Sequence, residues 1–390
     1  MIIKKKWCIK IFLFVISILC KKNKFFIKGF NNEGHEAIGM VAMSGLKSEQ
    51  LYELKKLLSG KDLVDLGKWG HLVHEKIKQA ESMHFNLQYN DCKNIKFTCE
   101  DKNGLCLINS IKYFYNKLLL PPGSDPNNDI TFKYPRKITF TDSDSLKYLV
   151  TLISDMHQPL RISFLNDNGG KNINVTFYDS KSEKVKSDLF KYLENEIINK
   201  MIQKYQSSWY SGWTHVNRIF NDHKKDEDLF KKNGIDVIYI WAKEIVSDFC
   251  SEFYMDNSIA NYMTLKEEKF CFDTTKELEI SYEMEFLLER LIRNNILRAG
   301  SRISILLNHI FAKKKFSNFR KKSEFDRVEF EELNRFKTES IYKNNAIYIN
   351  LLIILVILFT IFYFNFIMNR RNKMRLPSKI NESELQEKCN

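Results

Sequence analysis

Apolar residues recur at three- and four-residue spacing through most of positions 30–311, and breakers are few there. That is the periodicity of helices that each bury one face. It predicts two helices within Glu36–Leu58, joined near Ser44–Ser48 with Ser48 capping the second. Further helices are predicted over Leu63–Ala80, Leu105–Leu120, Ser143–His157, Leu189–Tyr205, Gly234–Tyr254 and Tyr282–Phe311. Pro159, just beyond the 143–157 stretch, lacks the N–H a helix needs and stops it. Asn172–Tyr178 instead alternates with period two after Gly169-Gly170, which predicts a strand in a short hairpin. No repeat of fixed period is visible. The fold class expected is all-α with one short β-hairpin.

Two unpatterned apolar runs lie outside this body. Ile11–Cys20 follows Lys4, Lys5 and Lys6 and spans ten residues, the length of a leader's apolar region and too short to cross a bilayer. Residues 1–29 are therefore read as a signal peptide, with an uncleaved anchor as the alternative. Ala346–Met368 contains 23 residues and no charge. At ~1.5 Å per residue it could span ~30 Å of hydrocarbon. Arg370, Arg371, Lys373 and Arg375 follow at once, so the tail 369–390 is expected on the cytosolic side and the body in the lumen or outside the cell. This is a type I single-pass topology within the secretory pathway. Residues 312–345, charged and free of Gly and Pro, are read as a helical or loosely ordered stalk, or equally as a solvated linker.

Charge changes this picture less than its total suggests. The chain carries 61 basic and 48 acidic residues, a net of +13, which invites a nucleic-acid binder. Residues 1–29, however, hold eight lysines and no acid, 312–345 is +4 and 369–390 is +3. The body has 37 basic residues against 39 acidic, a net of −2. A body of this charge binds a polyanion only through metal ions or a local basic patch. Cys92, Cys99, Cys106, Cys250 and Cys271 lie in the body, where a secretory compartment permits disulfides, and their odd number leaves one over. Asn174-Val-Thr176 is a glycosylation sequon on the same side of the membrane.

All eight histidines fall in the body: His35, His71, His74, His84, His157, His215, His223 and His309. His71 and His74 share one helical face at i,i+3, as metal ligands often do. Spacing alone leaves a metal site and ordinary hydrogen-bonded histidines equally open. The strings Asn32-Glu-Gly-His35, Trp69, His84-Phe85, Ser154-Asp155-Met-His157-Gln-Pro-Leu160, Gly169-Gly170, Trp241-Ala-Lys-Glu244 with Cys250, and Ala299-Gly-Ser-Arg302 follow in this order. Together they resemble the S1/P1 nuclease family, zinc-dependent single-strand-specific nucleases related to zinc phospholipase C. The similarity covers roughly residues 30–311, and Asp-x-His-Gln-Pro-Leu is its most specific piece.

The resemblance implies a helical fold with three zinc ions in a cleft, where metal-activated water attacks a phosphodiester. It assigns zinc ligation to the backbone of Phe30 (if the leader is removed after Gly29), to His35, to His84 and to Asp155. His71 replaces a family Asp and Glu194 replaces another; both side chains remain possible ligands. Asp155 and His71 are the expected catalytic residues. Thr151, Arg161 and Phe190 stand where the family has ligand histidines. Around the substrate, Phe85 is retained as a stacking surface, His74 replaces a phosphate-binding Arg, Leu87 a base-reading Asp, and Lys171 an Asn. The resemblance also suggests the pairings Cys99–Cys106 and Cys92–Cys250, with Cys271 left over.

Two functions from different classes follow. One is a membrane-anchored, metal-dependent hydrolase of single-stranded DNA or RNA that runs on one or two zinc ions rather than three. The other is a catalytically inactive protein that uses the fold to bind or scaffold a protein partner. Hydrolysis of lipid phosphodiesters is a third reading, suggested by the phospholipase kinship and the tether.

Overall fold

The computed structural model describes residues 30–89, 91–121, 124–126, 130–179, 181–206, 217–266, 269–316, 325–326, 353–368 and 370. The side chains at 71, 74, 75, 217–220, 266 and 269–270 lie outside the described set. So do the expected leader, most of the stalk and nearly all of the tail. The chain divides into two units, Met1–Val328 and Glu329–Asn390. In the second, residues 353–368 are helical with exposed apolar side chains. Among the described residues no helix is long and apolar enough to cross a membrane. Positions 346–352 of the expected span lie outside the described set.

The first unit is built from helices around one apolar core. In order these are α1 (Asn32–Ser44), α2 (Ser48–Leu57), α3 (Trp69–Lys76), α4 (Leu107–Leu119) and α5 (Asp142–Met156). They continue with α6 (Ile197–Tyr205), α7 (Asn217–Asn233), α8 (Val237–Phe249) and α9 (Tyr282–Lys313). Helix α5 is buried on all sides from Ser143 to Met156 and packs against α4 and α9. A capping box starts it: Thr141 Oγ1 accepts from Asp144 N, and Asp144 Oδ2 accepts from Thr141 N. The long α9 packs along α1 and α7, where Gly300 lets it approach α1 closely: a Cβ there would lie 2.5 Å from Val41 Cβ. A disulfide joins Cys92 to Cys250, and a second joins Cys99 to Cys106; Cys271 is free and buried. The two bridges belong to an oxidising, secretory or extracellular compartment.

Several sequence expectations shift in detail. Ser48 is the first residue of α2, and the cap position is Lys47 without a side-chain bond. The helix predicted over Leu63–Ala80 is three pieces: a 3-10 turn Val64–Leu66, α3, and a 3-10 stretch Lys78–His84. Helix α7 was not predicted, because charged residues dominate its sequence and blur the apolar stripe. The predicted hairpin is present as β1 (Asn174–Tyr178) with β2 (Lys184–Asp188), and β5 (Leu278–Glu279) extends it in parallel. A second hairpin, β3 (Met263–Lys266) with β4 (Lys269–Phe272), adds strands that were not expected.

The described residues just past α9 pack onto the helical body. Lys314 Nζ donates to Leu120 O and Asp142 Oδ1, and the Phe316 ring meets Phe311. Phe325 is fully buried among Trp69, Phe140 and Tyr148. Asp326 lies 3.9 Å from the buried ammonium of Lys147.

Candidate active site

Asp155 sits in the last turn of α5 and is 2% exposed. Its two oxygens face different partners. His84 Nδ1 lies 2.6 Å from Oδ2, and His35 Nε2 lies 3.6 Å from Oδ1. His35 comes from the first turns of α1, whose start is set by Asn31: its side chain accepts from Gly34 N, and its own N–H donates to Glu194 O. His84 ends the 3-10 stretch after α3, and the chain then runs extended beside residues 161–165. Asn86 N donates to Arg161 O, and Gln88 N to Ser163 O, so the His84-Phe85 string is fastened to the turn that follows α5.

That turn supplies Arg161. Pro159 ends α5, and Gln158 Oε1 accepts from Arg161 N to close a 3-10 turn. The turn folds the Arg161 guanidinium back over the site. Nη2 donates to Glu194 Oε1 at 3.0 Å, Nη1 to His84 O at 3.3 Å, and Nε lies 3.4 Å from Asp155 Oδ1. Glu194, 1% exposed, belongs to the π turn Tyr192–Glu196 that leads into α6. Burial alone would push the Asp155 carboxyl up. The charge of Arg161, then that of His84 and the hydrogen bonds from both histidines, outweigh burial and hold it well below the usual carboxylate range.

The third part of the site is the loop after Arg161. Asp167, buried, accepts from Gly170 N at 2.9 Å and from the Tyr254 hydroxyl at 2.5 Å. Gly169 and Gly170 have φ of +61° and +77°, and a Cβ on Gly169 would lie 2.5 Å from Leu160 O. Only glycine fits that close left-handed turn. The turn presents Lys171, whose ammonium lies 4.2 Å from the Phe85 ring centroid and 5.0 Å from that of Phe190. The Arg161 guanidinium lies 4.8 and 5.5 Å from the same two rings.

Of the residues expected to form the site, His35, His84, Asp155 and Glu194 are brought together, with Phe85 and Lys171 beside them. Phe30 is buried and its ring meets His35 edge-on; the link to Gly29 lies outside the described residues. The side chains of His71 and His74 also lie outside the described residues. Their helix is nevertheless pressed onto α5 one turn before Asp155, since a Cβ on Gly70 would lie 2.5 Å from Thr151 Cγ2. Asn174 is exposed at the start of β1, away from this cluster in sequence and element. Arg161 and Phe190 proved more central than motif reading alone ranks them. The signal for Arg161 is its position just past a proline-stopped helix whose last turn carries an acid.

The donor set bears directly on zinc. His35, His84 and Asp155 offer imidazole and carboxylate groups of the kind zinc takes, with each imidazole approaching a different oxygen of Asp155. They do not fit a cluster of three. Arg161 holds a fixed positive charge between Asp155 and Glu194, and Thr151 and Phe190 contribute no imidazole. Among the described residues no group of three or more His, Cys, Asp or Glu is gathered around a metal position.

The sequence profile described as S1/P1 Nuclease matches residues 30–312. Endonuclease 2 of Arabidopsis thaliana is 25% identical over 247 residues, covering 57% of this chain and 79% of that protein. Endonuclease 5 of the same plant is 22% identical over 302 residues, 73% of this chain and 91% of its own length. Endonuclease 1 is 24% identical over 316 residues, with 76% and 91% covered. The profile spans the whole helical body in which the α1 start, the end of α5 and the 84–85 string converge on Asp155, and the chain belongs to the S1/P1 nuclease family.

Proposed function

We propose that this protein hydrolyses phosphodiester bonds in single-stranded DNA or RNA with one or two zinc ions instead of three. The observation that supports this most is the approach of His35 and His84 to the two oxygens of a single buried, ionised Asp155. With His71 from the neighbouring helix, these residues would hold the ion, and Asp155 and His71 are the proposed catalytic pair. Bound zinc supplies an activated water and charge stabilisation at the phosphate. The chain's own part is to keep Asp155 ionised, orient both imidazoles, and line the cleft with Phe85. Glu194 is engaged by Arg161 and is left out of the metal set.

The competing reading, a binding or scaffolding protein without turnover, draws on that same Arg161 bridge, which neutralises two carboxylates without metal. Elemental analysis and cleavage of single-stranded oligonucleotides by the purified full chain separate the two. The hydrolytic reading expects one or two zinc ions per chain and cleavage that His84→Ala and Asp155→Ala each abolish. Zinc-free protein that cleaves nothing would leave only the binding reading. Arg161→His is expected to raise the zinc content by one, and an unchanged count would remove the argument against a cluster.

We further propose that residues 1–29 are a cleaved leader, that 346–368 anchors the protein with its tail in the cytosol, and that Asn174 is glycosylated. The charge pattern at 370–375 and the exposure of Asn174 support these readings. Resistance of the protein to carbonate extraction and a mass loss on deglycosylation are the expected results.

A further inference from the structure

We propose that Lys171 forms a phosphate subsite beside the Phe85–Phe190 ring pair, so that this site grips a nucleotide by its phosphate and not by the edge of its base. This rests on the nuclease reading of the cleft and names the part of the substrate held there. Lys171 is half-buried, and among the described residues no carboxylate comes within 4.0 Å of its nitrogen. Elsewhere in the fold the half-buried Lys200 is paired with Glu285 and Lys314 with Asp142. A half-buried ammonium without a counter-ion is costly, and a bound anion removes that cost.

A second cation lies at the same rings. The Arg161 guanidinium flanks both Phe85 and Phe190, and its buried Nε has no hydrogen-bond partner despite the nearby Asp155. The site thus sets two cations, Lys171 and Arg161, against the same ring pair, and among the described residues the Lys171 ammonium has no carboxylate within 4.0 Å, an arrangement suited to phosphate oxygens. It is also preorganised. Asp167, held by Tyr254, fixes the Gly169-Gly170 turn that carries Lys171. The neighbour across that turn is Leu87, whose methyl would lie 3.1 Å from a Cβ on Gly169 and offers no hydrogen bond to a base. Aromatic rings accept the face of any base. Discrimination therefore falls to the phosphate. Burial lowers the Lys171 pKa, with Glu81 opposing that shift.

Titration calorimetry on the full chain tests this with a nucleoside 5′-monophosphate, the matching nucleoside, and inorganic phosphate. The monophosphate should bind at least about tenfold more tightly than the nucleoside, the scale expected of a charge-assisted hydrogen bond. Lys171→Gln should abolish that preference, Lys171→Arg should keep most of it, and the salt dependence should fall by about one charge in the Gln variant. Inorganic phosphate should compete with the monophosphate in the wild type and not in Lys171→Gln. A wild type that binds monophosphate and nucleoside alike overturns the proposal, as does a preference that survives in Lys171→Gln. Cleavage of single-stranded DNA is followed in parallel. Cleavage with a Lys171-independent preference removes the subsite alone. A Lys171-dependent preference without cleavage upholds the subsite and removes the hydrolytic reading.

Discussion

Arg161 and Arg302 invite comparison, because each is nearly fully buried, each lies between two carboxylates, and each has a histidine at hand. Arg302 closes its network. Nε donates to Asp226 Oδ2 at 2.9 Å, Nη2 to Asp226 Oδ1 and to Glu244, and Nη1 meets His157 Nε2 at 3.1 Å. Asp226 also accepts from Trp241 Nε1 at 2.9 Å. Arg161 makes fewer bonds, leaves Nε without one, and has Lys171, with no carboxylate within 4.0 Å among the described residues, against the same rings. Five guanidinium N–H groups need acceptors when buried. One network engages all three guanidinium nitrogens from within and serves the fold. The other leaves Nε without an acceptor and shares its two rings with a second cation, Lys171.

The sharpest way to break the comparison is Asp226→Asn. It would leave Arg302 buried without its bidentate partner and should cost about 3–5 kcal/mol. Chemical denaturation measures it, with nucleotide binding per folded molecule unchanged; a cost under about 1 kcal/mol would mean the network is not closed in the sense argued. Asp155→Asn should cost less, about 1.5–3 kcal/mol, because Arg161 keeps Glu194, while cleavage is lost completely.

Acid separates the two regions by sign and window. Burial first, then the Arg302 charge, holds the His157 pKa well below its ordinary 6.5. The unfolded chain takes that proton as pH drops below about 6.5 and the folded chain does not, so stability present above this pH declines below it. One proton corresponds to about 1.4 kcal/mol per pH unit. His223 and His309 are shifted down by burial and add to the same slope. His157→Gln should remove one proton's share between pH 6 and 5, read from denaturation midpoints at each pH. Asp155 behaves otherwise: its stabilisation is complete above the ordinary 3.8 and is lost only below it, so it contributes nothing to the slope in that window. The smallest effect is expected at Lys171→Met, within about 0.5 kcal/mol of the parent or slightly more stable, since it deletes an uncompensated cation. A loss of 2 kcal/mol or more, on the order of a broken buried pair, would show that Lys171 serves the fold after all.

Legibility in the sequence followed how local each cause is. Helix α5 was readable within a residue of its start because its apolar periodicity and the Pro159 stop lie within or beside the segment. Helix α7 was not, since its place in the core comes from packing on α9 while its own residues are mostly charged. The break of the predicted 63–80 helix also escaped notice. That stretch is packed closely against its neighbours, Leu63 against Gly39 and Gly70 against Thr151, and neither contact is local. In the site, His35, His84 and Asp155 were identifiable by motif. The meeting of Arg161 with Glu194, 33 residues away, was not.

The sequence by itself determined the family, the helical class, the disulfide partners by resemblance, and the partition that leaves the body near neutral despite a chain total of +13. Those properties depend on composition, periodicity and ordered motifs, which are written along one dimension. Only the tertiary structure decided that Arg161 spans Asp155 and Glu194, that Lys171 lies against Phe85 and Phe190, and that Phe325 is buried beside Trp69. Each of these depends on which charges and rings meet after the chain has folded. The energy of a buried charge is set by its neighbours in space and not by its neighbours in sequence.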